Sequence, residues 1–295
     1  MFDKRVVAWL GLWCGCLVAT TGCLPSYTIR SHQRVVSQSP YSRISPLVGP
    51  RKGDGRVTLG GSAEYTLLGA EPGEGTPSEG GRFTPTGRAE GHVAVQLGSA
   101  FELGGSVSVY LPESNASVLN LPLELDLEPL LAGSIDTRVF LERRYDTSIS
   151  VGLRFSQLRY SWDYQDRCTG DCDFELKTGG GSNESTLGVG FYVGVGMALP
   201  LNDRIRVLVG TSFELLPYLK TSYEGEKTCT VLGCEGKLPP KPPEPSAGAG
   251  FIVYTGMDFM IVDGVRARFV LQPIAYQPWG DWQYFLAQGG VEFVF

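Results

Sequence analysis

Residues 184–218 read ESTLGVGFYVGVGMALPLNDRIRVLVGTSFELLPY, and this stretch decides the fold class. Large apolar side chains occupy every second position from Leu187 to Leu199, and glycine, alanine or tyrosine occupies the positions between them. After a turn at residues 202–203, the alternation resumes over residues 205–215. A period of two predicts β-strands. The stretch therefore predicts a hairpin with one continuous apolar face and one face of small or charged residues.

The same alternation recurs along most of the chain. The composition suits an all-β protein, because 39 glycines, 13 tyrosines and 14 phenylalanines accompany only 19% charged residues. No stretch has the 3.6-residue period of a long amphipathic helix. We therefore predict one all-β domain over residues 55–295. Its ten candidate strands are residues 56–68, 87–98, 101–111, 132–143, 148–162, 185–199, 204–218, 247–260, 265–276 and 283–295.

The connections between these strands are alternately short and long. This alternation predicts a closed antiparallel up-and-down barrel, whose short turns lie at one end and whose long loops lie at the other. Ten strands place both ends of the barrel domain at the short-turn end. Residues 119–127 also alternate, but Pro122 and Pro129 disfavour a central strand there. Counts of eight or twelve strands therefore stay open.

Nearly every charge within the strands falls on one face of the alternation. In a membrane the apolar set faces lipid, and the charged set faces a narrow lumen in which ion pairs fill the space. The period itself does not distinguish inside from outside, so a soluble lipid-carrying barrel is the alternative. We expect arginines and carboxylates of this set to pair across neighbouring strands. The predicted lumen charge network comprises Arg154, Arg206, Glu214, Asp258, Arg266, Arg268 and Glu292.

The amino terminus has the features of an export signal. Lys4 and Arg5 precede an apolar run at residues 6–18, which is too short for a comfortable membrane anchor. The following residues 19–23, ATTGC, resemble the lipobox of bacterial lipoproteins, although Thr20 stands where that family usually has leucine. The resemblance implies a signal peptide at residues 1–22 and a lipid on Cys23, with plain signal cleavage as the alternative. Residues 23–54 then have the serine, proline and arginine content of a tether.

The carboxyl terminus, residues 290–295, reads GVEFVF and ends on Phe295. This ending resembles the terminal aromatic signal of bacterial outer-membrane β-barrels. The resemblance implies an outer-membrane location, contact with outer-membrane lipid and recognition by the barrel assembly machinery. It also implies that the short-turn end, with both termini and the tether, lies on the periplasmic side.

Four cysteines lie outside the predicted signal and the candidate lipid site. An even number in an exported protein predicts disulfides. Three pairings are open, and we favour the local ones because each closes a small loop. A zinc site of four thiolates is the alternative, although the spacings are looser than those of zinc knuckles. The expected pairs are Cys168 with Cys172 and Cys229 with Cys234.

Aromatic residues gather near the strand ends on the long-loop side, among them Tyr110, Tyr160 and Trp162. Amphipathic rings at headgroup level form the girdles of membrane barrels. Ordinary packing at the bases of the loops is the alternative.

The sequence predicts a non-enzymatic outer-membrane protein and no cofactor or metal. The net charge of −6 argues against nucleic acid as a partner. The long loops 165–183 and 221–246 are the predicted sites for an external ligand, because binding usually resides on loops carried by a rigid scaffold. A small porin or narrow channel is one alternative. A lipid-modifying enzyme is another, in which His92 beside Glu90 serves as an acid–base pair.

Overall fold

The computed structural model describes residues 26–38, 57–69, 81–83, 87–111, 128–142, 147–170, 177–220, 222–230, 233–276 and 284–295. In this part of the chain, no helix is long and apolar enough to cross a membrane. The strands are β1 (Tyr27–Gln38), β2 (Val57–Gly69), β3 (Gly81–Phe83), β4 (Gly87–Leu97), β5 (Phe101–Leu111), β6 (Leu130–Glu142), β7 (Thr147–Gly170), β8 (Thr178–Pro200), β9 (Ile205–Tyr218), β10 (Ser222–Thr230), β11 (Gly233–Lys237), β12 (Ser246–Val262), β13 (Val265–Tyr276) and β14 (Tyr284–Val294).

Ten of these strands form a closed ring. Its order is β2, β4, β5, β6, β7, β8, β9, β12, β13 and β14, and β14 pairs back to β2. Every neighbouring pair in the ring is antiparallel. The predicted fold class and the count of ten are confirmed. The alternating segment at residues 119–127 lies outside the described residues.

The alternation gives the ring an apolar outer wall and a polar interior. Val107 on the outer wall is 66% exposed, whereas Glu102 on the same strand is 5% exposed. This arrangement is the reverse of a soluble barrel with an apolar core. Other exposed apolar residues of the outer wall are Leu59, Val93, Leu97, Leu103, Ile135, Val139, Leu141, Val151, Leu153, Val189, Phe191, Val195, Val209, Phe213, Phe251, Phe269, Val291 and Phe293.

The described turns at one end of the ring are short. Residues 98–100 join β4 to β5 and residues 263–264 join β12 to β13, with Gly98 at φ 73° and Gly264 at φ 82°. A residue with a side chain rarely adopts this left-handed conformation, so glycine is favoured at both positions. In the turn after β8, the Asn202 side-chain oxygen accepts hydrogen bonds from the backbone N–H groups of Arg204 and Ile205, both at 2.9 Å.

Two ring strands continue far beyond the others at the long-loop end. β4 and β5 have 11 residues each, which is the length of a tilted membrane strand, whereas β7 has 24 and β8 has 23. The outer parts of β7 and β8 stay paired as far as Gln165 and Thr178. The predicted loop at residues 165–183 is therefore wrong in its extent, because β7 continues to Gly170 and β8 begins at Thr178.

Strand β1 adds to this extension at the long-loop end. Tyr27 pairs with Gly170 at the far tip of β7, and Gln38 pairs with Arg159 nearer the ring. The other edge of β1 pairs with β10, which pairs with β11. We call this sheet the platform: β1, β10, β11 and the parts of β7 and β8 beyond Leu158 and before Leu187. The predicted loop 221–246 therefore contains a β-hairpin.

This arrangement corrects the interpretation of residues 23–54 as a tether at the short-turn end. The described part of that segment, Tyr27–Gln38, is a strand at the long-loop end, because its partners are the outer part of β7 and β10. Val57 begins β2 at the short-turn end, where the Phe295 N–H donates a hydrogen bond to the Val57 carbonyl at 2.9 Å. Gln38 and Val57 therefore lie towards opposite ends of the barrel.

One face of the platform is covered and packed. Its buried cluster contains Val35, Leu158, Tyr160, Trp162 and Leu219, which are at most 7% exposed. The proline-rich segment 238–245 lies against this face, where Lys241 donates hydrogen bonds to the Asp166 carboxylate at 2.7 and 2.9 Å. The Gln33 amide donates to the Pro240 carbonyl at 3.2 Å, the Tyr223 hydroxyl donates to the Glu244 carbonyl at 3.1 Å, and Lys241 lies over the Tyr164 ring at 3.4 Å.

The aromatic residues named above do not form a girdle. Tyr160 and Trp162 are packed within the platform, and Tyr110 is fully buried on the lumen side of β5. Packing, the alternative interpretation, is correct for these three residues. Two further aromatic residues near predicted strand ends on the long-loop side, Trp279 and Trp282, lie outside the described residues.

Candidate functional site

The lumen contains a dense set of buried ion pairs. Arginine nitrogens and carboxylate oxygens lie 2.9 to 3.2 Å apart in most of them, and the arginines of the central pairs are less than one tenth exposed. A charge buried without a partner costs several kcal/mol, so these pairs stabilise the lumen only as pairs. The pairs are Arg88 with Glu64, Arg138 with Glu102, Arg154 with Glu214, Arg206 and Arg266 with Asp258, and Arg268 with Glu292.

All seven residues of the predicted lumen charge network lie on the inner wall and take part in these pairs. The expected pairing between neighbouring strands holds for Arg206 with Asp258 and for Arg268 with Glu292. It fails for Arg154, which reaches from β7 across β8 to Glu214 on β9. Gly190 lies opposite Arg154 in the strand register of β7 and β8.

Sequence reasoning missed two polar partners in the lumen. Glu64 on β2 pairs with Arg88, and the Tyr110 hydroxyl contacts the guanidinium of Arg154. The position of Glu64 on the inner wall could have been predicted from the sequence, because Thr58, Gly60 and Ser62 precede it at intervals of two on the polar face. Tyr110 has no such signal, since an aromatic residue at a strand end suits a girdle equally well.

Long side chains on the inner wall cross a strand by lying over a glycine. The Tyr192 ring lies over Gly152 of β7, where an added Cβ would be 2.5 Å from the ring, and the Tyr192 hydroxyl donates to Asp136 of β6 at 2.6 Å. His92 of β4 similarly lies over Gly60 of β2. These crossings connect strands that are not neighbours, and they fill the lumen.

His92 belongs to the part of the lumen where the ring closes. Its Nε2 lies 3.3 Å from the Glu292 carboxylate on β14, which also forms an ion pair with Arg268 of β13 at an N···O distance of 2.9 Å. The acid–base pair of His92 with Glu90, which the alternative enzymatic interpretation requires, is not formed, and Glu90 accepts a hydrogen bond from Ser108 at 3.0 Å. His92 is 7% exposed and points into the lumen. Phe295, the predicted assembly signal, is exposed at the short-turn end of β14.

The described cysteines include one disulfide, Cys229 with Cys234, between β10 and β11. This pair is one of the two local pairs that we expected, and it leaves no thiolates at these positions for the alternative zinc site. The pair Cys168–Cys172 includes Cys172, which lies outside the described residues. Cys23, the candidate lipid site, and the predicted signal peptide also lie outside them.

The second face of the platform is open and polar. Residues directly opposite one another on β10, β1 and β7 form rows across this face. One row is Glu226, Arg30 and Arg167, and the next is Glu224, His32 and Gln165. Arg30 donates to Glu226 at 2.8 Å, and His32 Nδ1 lies 3.3 Å from Glu224. We call this surface the open face.

A concave site of about 620 Å³ lies on the open face. Side chains of both charge signs line it, so it offers donors and acceptors to a polar ligand. The volume lies within the range of small-molecule sites. The lining residues include Arg30, His32, Gln165, Arg167, Glu224 and Glu226.

The covered face contains a tyrosine with a perturbed pKa. Burial, together with a hydrogen bond to Glu184, raises the pKa of Tyr160 from 10.0 to about 12. At the base of the platform, a hydrogen bond from Arg159 lowers the pKa of the exposed Glu128 carboxyl. Within the described ranges, no group of three or more histidine, cysteine, aspartate or glutamate side chains is arranged to hold a metal ion.

No protein-family model matches the sequence, and no curated protein matches it. Solved structures similar in fold include an outer-membrane channel from Pseudomonas putida, with a TM-score of 0.40 and 10% identity over 86% of this chain and 100% of that chain. Another is LpxR from Salmonella typhimurium, with a TM-score of 0.38 and 9% identity over 80% and 99%. The translocator domain of the autotransporter NalP from Neisseria meningitidis has a TM-score of 0.36 and 12% identity over 99% and 98%. Similarities this weak carry no argument about role, and the strand pairing of the chain itself defines the fold.

The closed ring, its apolar outer wall and its charged lumen define a transmembrane β-barrel of the kind found in bacterial outer membranes.

Proposed function

We propose that this protein resides in the bacterial outer membrane and binds an external ligand through the platform, without catalysing a reaction. The observation that carries this proposal is the platform itself. The ring strands β7 and β8 extend about 13 residues beyond a membrane-spanning length, β1 pairs with β7, β10 pairs with β1, and β11 pairs with β10. Thirteen residues correspond to roughly 43 Å along a strand, so the open face stands clear of the lipid.

The buried pairs of the lumen favour binding over transport. A wide pore exposes its lining to water, whereas Arg88, Arg154 and Glu214 are each at most 3% exposed. In the platform, by contrast, the Cys229–Cys234 disulfide cross-links the β10–β11 hairpin, and the segment 238–245 is hydrogen-bonded to β1 and β10. A preorganised surface loses little conformational entropy on binding.

A lipid-modifying role for His92 finds no support in the geometry. A membrane lipid contacts the outer wall of the barrel, and His92 points into the lumen with Glu292 and Arg268 as its charged neighbours. The described polar contacts of His92 include no serine in a nucleophile position.

A direct test compares the wild-type protein with a variant that lacks the β10–β11 hairpin, residues 222–237. Both are displayed on outer-membrane vesicles and applied to an array of bacterial and host polysaccharides. We expect the wild type to bind at least one class and the variant to lose that binding. Folding of the barrel is checked by heat-modifiable migration in gels. Equal binding by the two proteins contradicts the proposal.

A narrow channel is the second candidate, favoured by one observation. Both amide atoms of Gln272 and two guanidinium nitrogens of Arg268 are buried without a hydrogen-bond partner among the described residues. Buried polar atoms of this kind usually bind ordered water, and a chain of waters is the minimum for a conducting path. Planar-bilayer recordings test it: unitary conductance that changes in Arg268→Glu supports a channel, and silent bilayers exclude it.

A further inference from the structure

We propose that the open face of the platform binds an anionic group, a carboxylate or a phosphate, carried by a ligand about the size of a sugar unit. Arg167 and Arg30 are its cationic contacts. This inference rests on the proposed binding function and adds the chemical class of the ligand.

The first observation is a pair of like charges. Arg30 on β1 and Arg167 on β7 are directly opposite each other in the strand register and project from the same face. Like charges at directly opposite positions destabilise a strand pair. An anion between two guanidinium groups removes that repulsion and accepts charge-assisted hydrogen bonds from both.

The second observation is that the nearby carboxylates are already engaged. Glu226 accepts a hydrogen bond from Arg30 at 2.8 Å, Glu224 pairs with His32 at 3.3 Å, and Asp163 pairs with Arg34. The described residues provide no ion-pair partner for Arg167. The guanidinium of Arg167 is therefore a cation of the open face that a ligand can neutralise.

The third observation is the shape of the surface. Arg30 and Arg167 line the concave site of about 620 Å³ together with His32 and Gln165. The acidic residues lie along β10, and the arginines face each other across β1 and β7. A ligand therefore places its anionic group on the β7 side, and its hydroxyl groups meet Glu224 and Glu226 on the β10 side.

The position of the site excludes the headgroups of the protein's own membrane. Arg167 lies ten positions beyond Gln157, which is near the limit of the apolar wall on β7, and ten residues of strand measure roughly 33 Å. Anionic lipid headgroups are out of reach at that distance. The ligand is therefore an external one, and an acidic sugar has the required charge, size and hydroxyl groups.

Calorimetric titration of the full-length protein in a non-ionic detergent tests the inference. The probes are glucuronic acid for the carboxylate, glucose 6-phosphate for the phosphate, and glucose as the neutral reference. We expect at least one acidic sugar to bind at least tenfold more tightly than glucose, with an affinity that falls as salt is added. Arg167→Gln should weaken that binding at least tenfold, whereas Arg204→Gln, which removes the same charge at the short-turn end, should leave it unchanged.

Three outcomes overturn the inference. They are equal affinities for glucose and the acidic sugars, no binding of either acidic sugar, and unchanged affinity in Arg167→Gln. If the protein then binds neutral polysaccharides on the array, and that binding requires the β10–β11 hairpin, the proposed binding function stands. Only the anionic ligand class is then wrong. Arg167 is exposed, so we expect Arg167→Gln to fold normally and to show the heat-modifiable migration of the wild type. A loss of binding in this variant can then be separated from a loss of folding.

Discussion

Single residues of this barrel act on strands that are not their neighbours. Tyr192 reaches Asp136 over Gly152, and Arg154 reaches Glu214 over β8. The Tyr192 crossing needs both a long polar side chain and a small residue beneath it. The glycines of the inner wall therefore have a packing role that their backbone conformation does not explain.

The first prediction concerns Gly152→Ala. The added Cβ would lie 2.5 Å from the Tyr192 ring and 2.9 Å from the Ile135 carbonyl oxygen, so the ring and its hydrogen bond to Asp136 must move. We expect a loss of about 1–3 kcal/mol in the free energy of unfolding, measured by denaturant titration in detergent. Gly91→Ala is the matched control, because nothing lies within 4 Å of its added Cβ. Equal effects of the two changes would contradict the packing role.

The second prediction concerns the buried pair of Arg154 and Glu214. Arg154→Leu leaves Glu214 buried without its cation, and we expect a loss of about 3 kcal/mol in unfolding free energy. The double variant Arg154→Leu/Glu214→Leu removes both charges and should be more stable than the single variant. Denaturant titrations of all four proteins in a double-mutant cycle measure the coupling. A double variant that is no more stable than Arg154→Leu would exclude a strong pair.

The third prediction concerns the pH dependence of the platform. The pKa of Tyr160 is raised to about 12 in the folded platform, against 10.0 for an ordinary tyrosine. Between pH 10 and pH 12, the Tyr160 hydroxyl keeps its proton in the folded platform and loses it in the opened platform. The free energy that favours the folded platform is therefore full below pH 10 and falls as the pH rises towards 12. Near-ultraviolet circular dichroism should show the platform opening in this window, and Tyr160→Phe should shift the opening to higher pH. If the pH midpoint of platform opening is unchanged in Tyr160→Phe, Tyr160 is not the group that causes the opening.

At the scale of elements, β1 is the central strand of the platform. It pairs with β7 on one edge and with β10 on the other, and its Val35 side chain is fully buried against Leu158 and Leu219. The barrel ring does not include β1. The platform therefore depends on β1, whereas ring closure depends on the pairing of β14 with β2.

The fourth prediction separates these two units. Val35→Asp places a charge in the packed cluster of the covered face, so the platform should open while the ring persists. Limited proteolysis should release platform fragments from Val35→Asp and leave a protected barrel, identified by mass spectrometry and heat-modifiable migration. Thr178→Asp adds the same charge at an exposed position of β8 and should resist proteolysis like the wild type. Loss of the whole barrel in Val35→Asp would contradict the separation.

At the scale of the whole molecule, the two ends of the described chain lie at opposite ends of the barrel. Tyr27 pairs with Gly170 at the tip of the platform, and Phe295 lies beside Val57 at the short-turn end. If the long loops face outward, as in bacterial outer-membrane barrels, the platform and β1 are on the cell surface.

The fifth prediction tests this orientation in intact cells. A membrane-impermeant maleimide should label Ser26→Cys, next to β1, without disruption of the outer membrane. Asp203→Cys, in the short turn after β8, should be labelled only after the membrane is permeabilised. The reverse pattern would place the long-loop end on the periplasmic side and would contradict the proposed surface role.

The sequence predicted the ring well because the side-chain period of a strand is local. Alternation at residues 187–199 and the strict order of short and long connections are visible without any tertiary information, and they predicted the ten strands. The prediction that the apolar face points outward also needed the export signal, because a period of two does not distinguish inside from outside. The same reasoning did not find β1, since Tyr27–Gln38 mixes serine, arginine and valine without a sustained apolar period.

What the sequence determined by itself is the barrel: an apolar outer wall and a charged inner wall follow from a period of two in a chain that spans lipid. Only the tertiary structure decided which charges pair and where the first strand lies. Arg154 meets Glu214 because the stagger of β7, β8 and β9 brings them together. Arg30 meets Glu226 across 196 residues of sequence. Contacts over such separations depend on how the strands close, and no local pattern encodes them.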